Sequence, residues 1–373
     1  MSATVIEALR RFLPDFQAGN PFLDPAQRRA IWALTHCRTD EMGGHINACP
    51  GCGKQAFHFH SCNHRSCPQC GSMGNAKWVK RELEKQVGAP YFMVTFTLPS
   101  ELRRLFFGPE AKVAYDLFFK AASGSLSDVL ANPKWLGAHK SGFTMVLHTW
   151  NQRMQFHPHI HTIVPGAGMD KNGKVVTVKK SNYLVKDEAL RTVFRARFRD
   201  LLAASKLSDE SKGVDPAVWE KNWGVDLKPF GSGGAAIRYL GAYVCKSVIG
   251  NRRITSIQNN TVSFTWKDRA HGKMQRSDTI PGVEFVKRYL QHVLPKGMRS
   301  IRYYGFCHPA AKVRRERIAF HTGRPLELGA PKPEPPPAVS KCTHCGTPTQ
   351  RFLYLNPRWK SSRGPPTPKR KCA

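Results

Sequence analysis

Three histidines at alternate positions, in Phe156-His157-Pro158-His159-Ile160-His161, are the sharpest chemical signal in the chain. In a β-strand alternate side chains share one face, about 7 Å apart. His159 and His161 are therefore placed to share a divalent metal while Ile160 packs into the core. One such histidine would read as a half-buried residue satisfied by hydrogen bonds; three at period two favour a metal. A catalytic metal takes a further protein ligand and keeps an open position. The candidates are His157, on the same face but beside Pro158, Gln152, near the connection that precedes the strand, and, as an outsider, Gln155. Gln152 is preferred.

A second signal is the helical segment 235–246, where Tyr239 and Tyr243 stand at i and i+4 and so share a face, with Lys246 three residues on. Taken alone, the pair reads as a core aromatic stripe. Beside a histidine metal site it fits phosphoryl transfer through a covalent intermediate. A tyrosine oxygen attacks a metal-polarised phosphate to give a 5′-phosphotyrosine and a free 3′-OH. Two tyrosines allow one to hold a strand while the other cleaves the next, and Lys246 is placed to move a proton.

The third signal is cysteine. Cys49-Pro-Gly-Cys52 and Cys67-Pro-Gln-Cys70 are two C-x-x-C pairs separated by fourteen residues. They are expected to form one closed, structural Zn²⁺ site, with Cys62 outside it. Lys54, His64 and Arg65 are available there to face DNA. Cys342 and Cys345 make half of a further site, whose partners among Cys307, His308, His344 and Cys372 stay open.

The elements that must position these residues follow from hydrophobic patterning. Strands are expected at 91–98, 143–149, 157–164, 175–178 and 261–266; helices at the N-terminus, 75–86, 101–131, 187–205 and 235–249. This order gives an α+β fold, a central antiparallel sheet with flanking helices, preceded by a small zinc ribbon. The domains expected are 1–74, helix and zinc; 75–325, catalytic; 326–340, a proline-rich linker; and 341–373, a cysteine-containing basic tail.

The chain has 373 residues and 58 Lys+Arg against 26 Asp+Glu, a formal charge of +32. Self-repulsion on that scale calls for a polyanion, and nucleic acid is the leading candidate. Arg252 and Arg253, just after the tyrosine helix, are candidates to hold a DNA backbone. No run approaches the ~20 apolar residues of a membrane span, so a cytoplasmic, nucleoid-associated protein with no membrane partner is expected.

Together these motifs resemble the two-tyrosine branch of the HUH (His-hydrophobe-His) rolling-circle transposases of bacterial insertion sequences. The resemblance rests on Ser61–Cys70, Met93–Pro99, Trp150–His161, Tyr239–Tyr243, Gly250–Ile254, His292–Gly297 and Ile301–Phe306, in that order. It implies metal-ligand roles for His159 and His161, nucleophile roles for Tyr239 and Tyr243, and an N-terminal zinc site. It also implies nicking and rejoining of single-stranded DNA at element ends and target, with Mg²⁺ or Mn²⁺. Ser66 stands where the family usually has histidine before the third zinc cysteine, and Val244-Cys245-Lys246 replaces its usual Thr-His-Arg. No Gly-rich Lys-Ser/Thr nucleotide loop is present, so unwinding would fall to host replication or helicase machinery. A plasmid relaxase or replication initiator would use the same chemistry. A non-catalytic zinc DNA-binding regulator would bind DNA without needing the tyrosines or a divalent metal.

Overall fold

Alternating burial along Phe156–Pro165, with Phe156, Pro158 and Ile160 buried and His157, His159 and His161 half-buried, sets the histidine strand between two unlike faces. The computed structural model describes residues 3–244, 247–268, 271–272, 274–323 and 341–354; the side chains of 71–74, 242–243 and 351–354 are outside that description. The expected linker 326–340 and the tail beyond residue 354 lie outside the described residues.

The histidine strand is the middle of a five-stranded antiparallel sheet in the order Ile301–Gly305, Gly142–Trp150, Phe156–Pro165, Tyr91–Thr97, Gly224–Gly231. One face is filled by Phe92, Val94, Phe96, Leu147 and Ile160, packed against helices Ala111–Ala131 and Asp187–Ala203. The other carries Met93, Val146 and Ile163 beneath helices Gly71–Leu83 and Gly233–Val244. Burying apolar side chains on both faces stabilises such a sheet by roughly 25 cal/mol per Å². The α+β architecture expected from the sequence is the one observed.

A second core joins the two N-terminal helices, Val5–Gly19 and Pro25–Thr35, to a three-stranded sheet, Ile254–Gln258, Thr261–Asp268 and Met274–Pro281, and to helix Gly282–Leu290. The N-terminal helices are separated where Asp24 caps the second one, its carboxylate accepting from the amides of Ala26 and Gln27, with Pro25 at the first helical position.

A third sheet corrects the expected domain order. Strands Gly44–Ala48 and Gln55–Phe59 form a hairpin, and Gln350–Tyr354 pairs with its free side, giving the order 350–354, 44–48, 55–59. The zinc unit thus does not end before the catalytic sheet begins: residues 341–354 return to complete it.

Candidate functional site: a histidine cluster facing a tyrosine helix

Asn151 closes the turn before the histidine strand, its side-chain oxygen accepting from the amides of Arg153 and Gln155 at 2.9 and 3.0 Å. Met154 takes a positive φ of 60° there. The turn fixes the register in which His148 lies opposite His159 and Val146 opposite His161. Directly opposed residues share a sheet face. His148, His159 and His161 accordingly gather with ligand atoms within 4.8 Å of one another. Their ring centroids are 4.8 to 5.5 Å apart.

The ring hydrogen bonds prepare this set for a metal. Nδ1 of His159 donates to the carbonyl of His157 at 2.7 Å, which leaves the lone pair on Nε2. Nδ1 of His161 pairs with the Thr95 hydroxyl at 3.1 Å. Such outer contacts fix tautomer and orientation in metal-ligating histidines. The donor set fits a divalent ion.

The histidine that joins His159 and His161 is His148, from the neighbouring strand, whereas the sequence pointed to Gln152 or His157 as the further ligand. His157 accepts a hydrogen bond from the Arg103 guanidinium at 3.1 Å. Burial, then the nearby His159 and Arg103, push its pKa down to about 4. That ring nitrogen is engaged by Arg103, and His157 is outside the cluster. Gln152 lines the same cavity, and its backbone carbonyl accepts from Arg253. His148 is hard to find in the sequence because its strand is buried on both faces, so no alternation marks it.

A cavity of about 490 Å³ opens over the cluster, and Tyr239 lines it with all three histidines. The tyrosine helix spans Gly233–Val244, and the Tyr239 ring lies 4.9 Å from that of Phe230 on the edge strand. Tyr239 is 38% exposed, accessible rather than a core stripe. Tyr243 is on the same helix one turn on, and Lys246 lies outside the described residues. Arg153, Lys228 and Lys267 bring positive charge to the rim, and Trp150 and Trp266 offer flat faces.

Arg252 is exposed. Arg253 is not available in the same way, since its guanidinium donates to the carbonyls of Thr265 and Gln152. It ties the histidine-strand turn to the second core.

The cysteines divide differently from the expectation. Cys37, Cys62, Cys67 and Cys70 form one four-thiol group, and Cys49 and Cys52 join Cys342 and Cys345 in another. Cys67 and Cys70 come together as expected, but Cys49 and Cys52 lie in a hairpin turn that faces the returning C-terminal segment. In the first group the sulfurs are 3.6 to 3.7 Å apart. A tetrahedron with Zn–S bonds of about 2.3 Å has edges of about 3.8 Å, so the spacing suits a structural Zn²⁺. Cys37, just past the helix Pro25–Thr35, has no motif to announce it.

Two family models match the chain. A model described as "Transposase zinc-binding domain" matches residues 8–98, and one described as "Putative transposase" matches residues 142–316. The chain is 33% identical over 350 residues to "Putative transposase y4qJ" of Sinorhizobium fredii, covering 88% of this chain and 87% of that protein. It is 28% identical over 294 residues to "Transposase for insertion sequence element IS801" of Pseudomonas savastanoi pv. phaseolicola, covering 74% and 69% of the two. No solved structure matches. A zinc-binding segment, a transposase segment after it and similarity to a transposase over most of both chains lead to one conclusion: the chain belongs to the insertion-sequence transposases of the IS91/IS801 type.

Proposed function

We propose that the chain nicks and rejoins single-stranded DNA at the ends of an insertion sequence through a 5′-phosphotyrosine, in rolling-circle fashion, with Tyr239 as a nucleophile. The observation that carries this reading is the single cavity that Tyr239 shares with His148, His159 and His161. A divalent ion held by the three imidazoles would supply Lewis-acid polarisation of the scissile phosphate. An all-nitrogen set is softer than Mg²⁺ favours, so Mn²⁺ is expected to support the reaction at lower concentration.

The tyrosine Oη forms the new bond to phosphorus and the bond from phosphorus to the 3′ oxygen breaks. The phenolic proton passes to water in the open cavity, and the departing 3′ oxygen takes up a proton. The ester energy is conserved, so the 3′-OH of another end can attack the phosphotyrosine and release the enzyme. Tyr243 is the second nucleophile in this reading and Lys246 its proton-transfer partner. Arg153, Lys228 and Lys267 hold neighbouring phosphates while Trp150 and Trp266 stack on bases, the combination that suits single strands. Arg252 extends this track along the backbone. The element's ends and target are the DNA partners, and host enzymes supply unwinding.

The test is a covalent-adduct assay on denaturing gels, with labelled single-stranded DNA from the element's ends and Mg²⁺, Mn²⁺ or EDTA. A metal-dependent adduct that disappears in His159→Ala and in the Tyr239→Phe, Tyr243→Phe double variant is expected. Tight DNA binding without an adduct under any metal would overturn the reading in favour of a non-catalytic zinc protein.

A further inference from the structure

Two short segments from opposite ends of the sequence are built alike. Cys49-Pro-Gly-Cys52-Gly53 and Cys342-Thr-His-Cys345-Gly346 are each a C-x-x-C pair followed by glycine. Both glycines adopt left-handed backbone, with φ of 70° and 72°. In each turn the glycine amide donates to the carbonyl of the first cysteine, at 2.9 Å in both. In each, too, the amide of the first cysteine donates to the carbonyl five residues on, Lys54 at 2.9 Å and Thr347 at 2.8 Å. These are two copies of one turn, each presenting two sulfurs in the same direction.

The two turns face each other. Cys49 Sγ lies 3.4 Å from Cys345 Sγ, and Cys52 Sγ lies 3.6 Å from Cys342 Sγ. All four sulfurs fall within 4.8 Å. These separations are far from the ~2.05 Å of a disulfide and close to the ~3.8 Å edge of a zinc–thiolate tetrahedron. Gly51 is a further sign of fit, because a Cβ there would come within 2.8 Å of the Thr347 hydroxyl. A larger residue at 51 would push against the Thr347 side chain, so glycine suits the close approach of the two turns.

We propose that Cys49, Cys52, Cys342 and Cys345 bind a second structural Zn²⁺ ion, which clasps the C-terminal segment 341–354 onto the N-terminal hairpin. Cys49 and Cys52 lie within the zinc-binding match over residues 8–98, whereas Cys342 and Cys345 lie beyond both family matches, which end at residues 98 and 316, so the site draws half of its ligands from outside the matched zinc-binding domain. The sheet it closes has little else to hold it: strand Gln55–Phe59 is exposed along its whole length. A small sheet without a core depends on a metal or similar staple. The returning strand pairs over five residues with Gly44–Ala48. The sulfurs joined are 290 and 296 residues apart in sequence, so one ion fastens the two ends of the molecule.

Metal analysis of the full-length protein, purified under reducing conditions, tests this directly. Two zinc ions per chain are expected, falling to one in Cys342→Ser and in Cys345→Ser. A second measurement does not depend on those variants folding. A site-specific protease sequence is inserted after Gly329 in the otherwise wild-type chain, and the cut protein is run on gel filtration. The C-terminal piece should stay with the body in zinc and leave it in excess chelator. One zinc per chain in the wild type, iron in place of zinc, a disulfide between the turns, or release of the cut piece in zinc-containing buffer would each overturn the proposal.

Discussion

Which nitrogen of each imidazole carries its proton is dictated by what that imidazole faces. A carbonyl only accepts, so His159 must hold its proton on Nδ1, where it meets the His157 carbonyl. His161 pairs through Nδ1 with the hydroxyl of Thr95. Thr95→Val keeps the side chain's size and removes that hydrogen bond. The half-saturating Mn²⁺ concentration for adduct formation should rise about 10- to 100-fold, with the rate at saturating metal largely kept. Titration of adduct yield against Mn²⁺ checks it, and an unchanged midpoint would remove Thr95 from the site. His148→Ala should instead lower the adduct rate by about 100-fold or more even in high Mn²⁺, because a ligand itself is lost. Equal activity of His148→Ala and wild type would return the third position to Gln152. His292 tests stability rather than chemistry. It is buried, donating from Nε2 to the Met154 carbonyl at 3.0 Å and paired through Nδ1 with Thr149 at 3.1 Å. Burial pushes its pKa from 6.5 down to about 4. The unfolded chain therefore takes up this proton near pH 6.5 while the folded chain resists until about pH 4. Its contribution is flat above pH 6.5 and is lost as pH falls across that window. In His292→Asn the urea midpoint should start lower at neutral pH and fall less steeply between pH 6.5 and 4.5.

At the scale of elements, the site depends on how closely the tyrosine helix can lie against helix Gly71–Leu83. Gly241 is the contact: a Cβ there would come within 2.1 Å of Val79 Cγ2. Alanine in a helix interior gains about 1 kcal/mol of intrinsic propensity over glycine. Overpacking typically costs about 1–3 kcal/mol, and a helical valine is nearly fixed at χ1 and cannot turn aside. The clash should win. Gly241→Ala is expected to lower the urea midpoint and the adduct rate together, and Val79→Ala in the same chain should restore both. Recovery of neither would mean that this close approach does not set the tyrosine's position. The element scale is also where the sequence was most legible. Strong local patterns gave the strands at 91–97, 142–150 and 156–165 and the helices at 111–131, 187–203 and 233–244 nearly in place. Edge strand Gly224–Gly231 escaped because five of its eight residues are exposed and Val225 alone is buried, too little apolar alternation to mark a strand. The His-x-His pair and Tyr239 were readable because their spacing is local. His148, Cys37 and the Cys49–Cys52 partnership with Cys342–Cys345 were not, since each is fixed by pairing between strands or turns distant in sequence.

The whole molecule carries a formal charge of +32, and none of its described helices is long and apolar enough to cross a membrane. Its cations are set against relatively few acids, and several of those acids are already committed: Asp278 to Arg153 at 2.7 Å, Asp226 to Lys228 at 2.7 Å, Asp116 to Arg302. The cavity rim thus keeps Lys267 and the shared charge of Arg153 and Lys228 for an incoming backbone. If single-stranded DNA is bound chiefly through phosphates, salt must compete strongly. Each neutralised phosphate of a single strand contributes about −0.7 to the slope of log K against log salt. With about six phosphates engaged, raising salt fourfold should weaken binding about 300-fold. Filter binding or anisotropy of the Tyr239→Phe, Tyr243→Phe double variant, without chelator, measures this without any cleavage, so the result stands apart from the tyrosine chemistry and leaves the structural zinc in place. Arg252→Ala should make the slope shallower by a little under one and weaken all sequences alike. Arg253→Ala should instead lower stability, because its guanidinium bridges Gln152 and Thr265 and leaves two carbonyls without their donor when removed. A shallow slope in the wild type would mean that Trp150 and Trp266 stacking, rather than charge, holds the strand, and that the +32 serves some other polyanion.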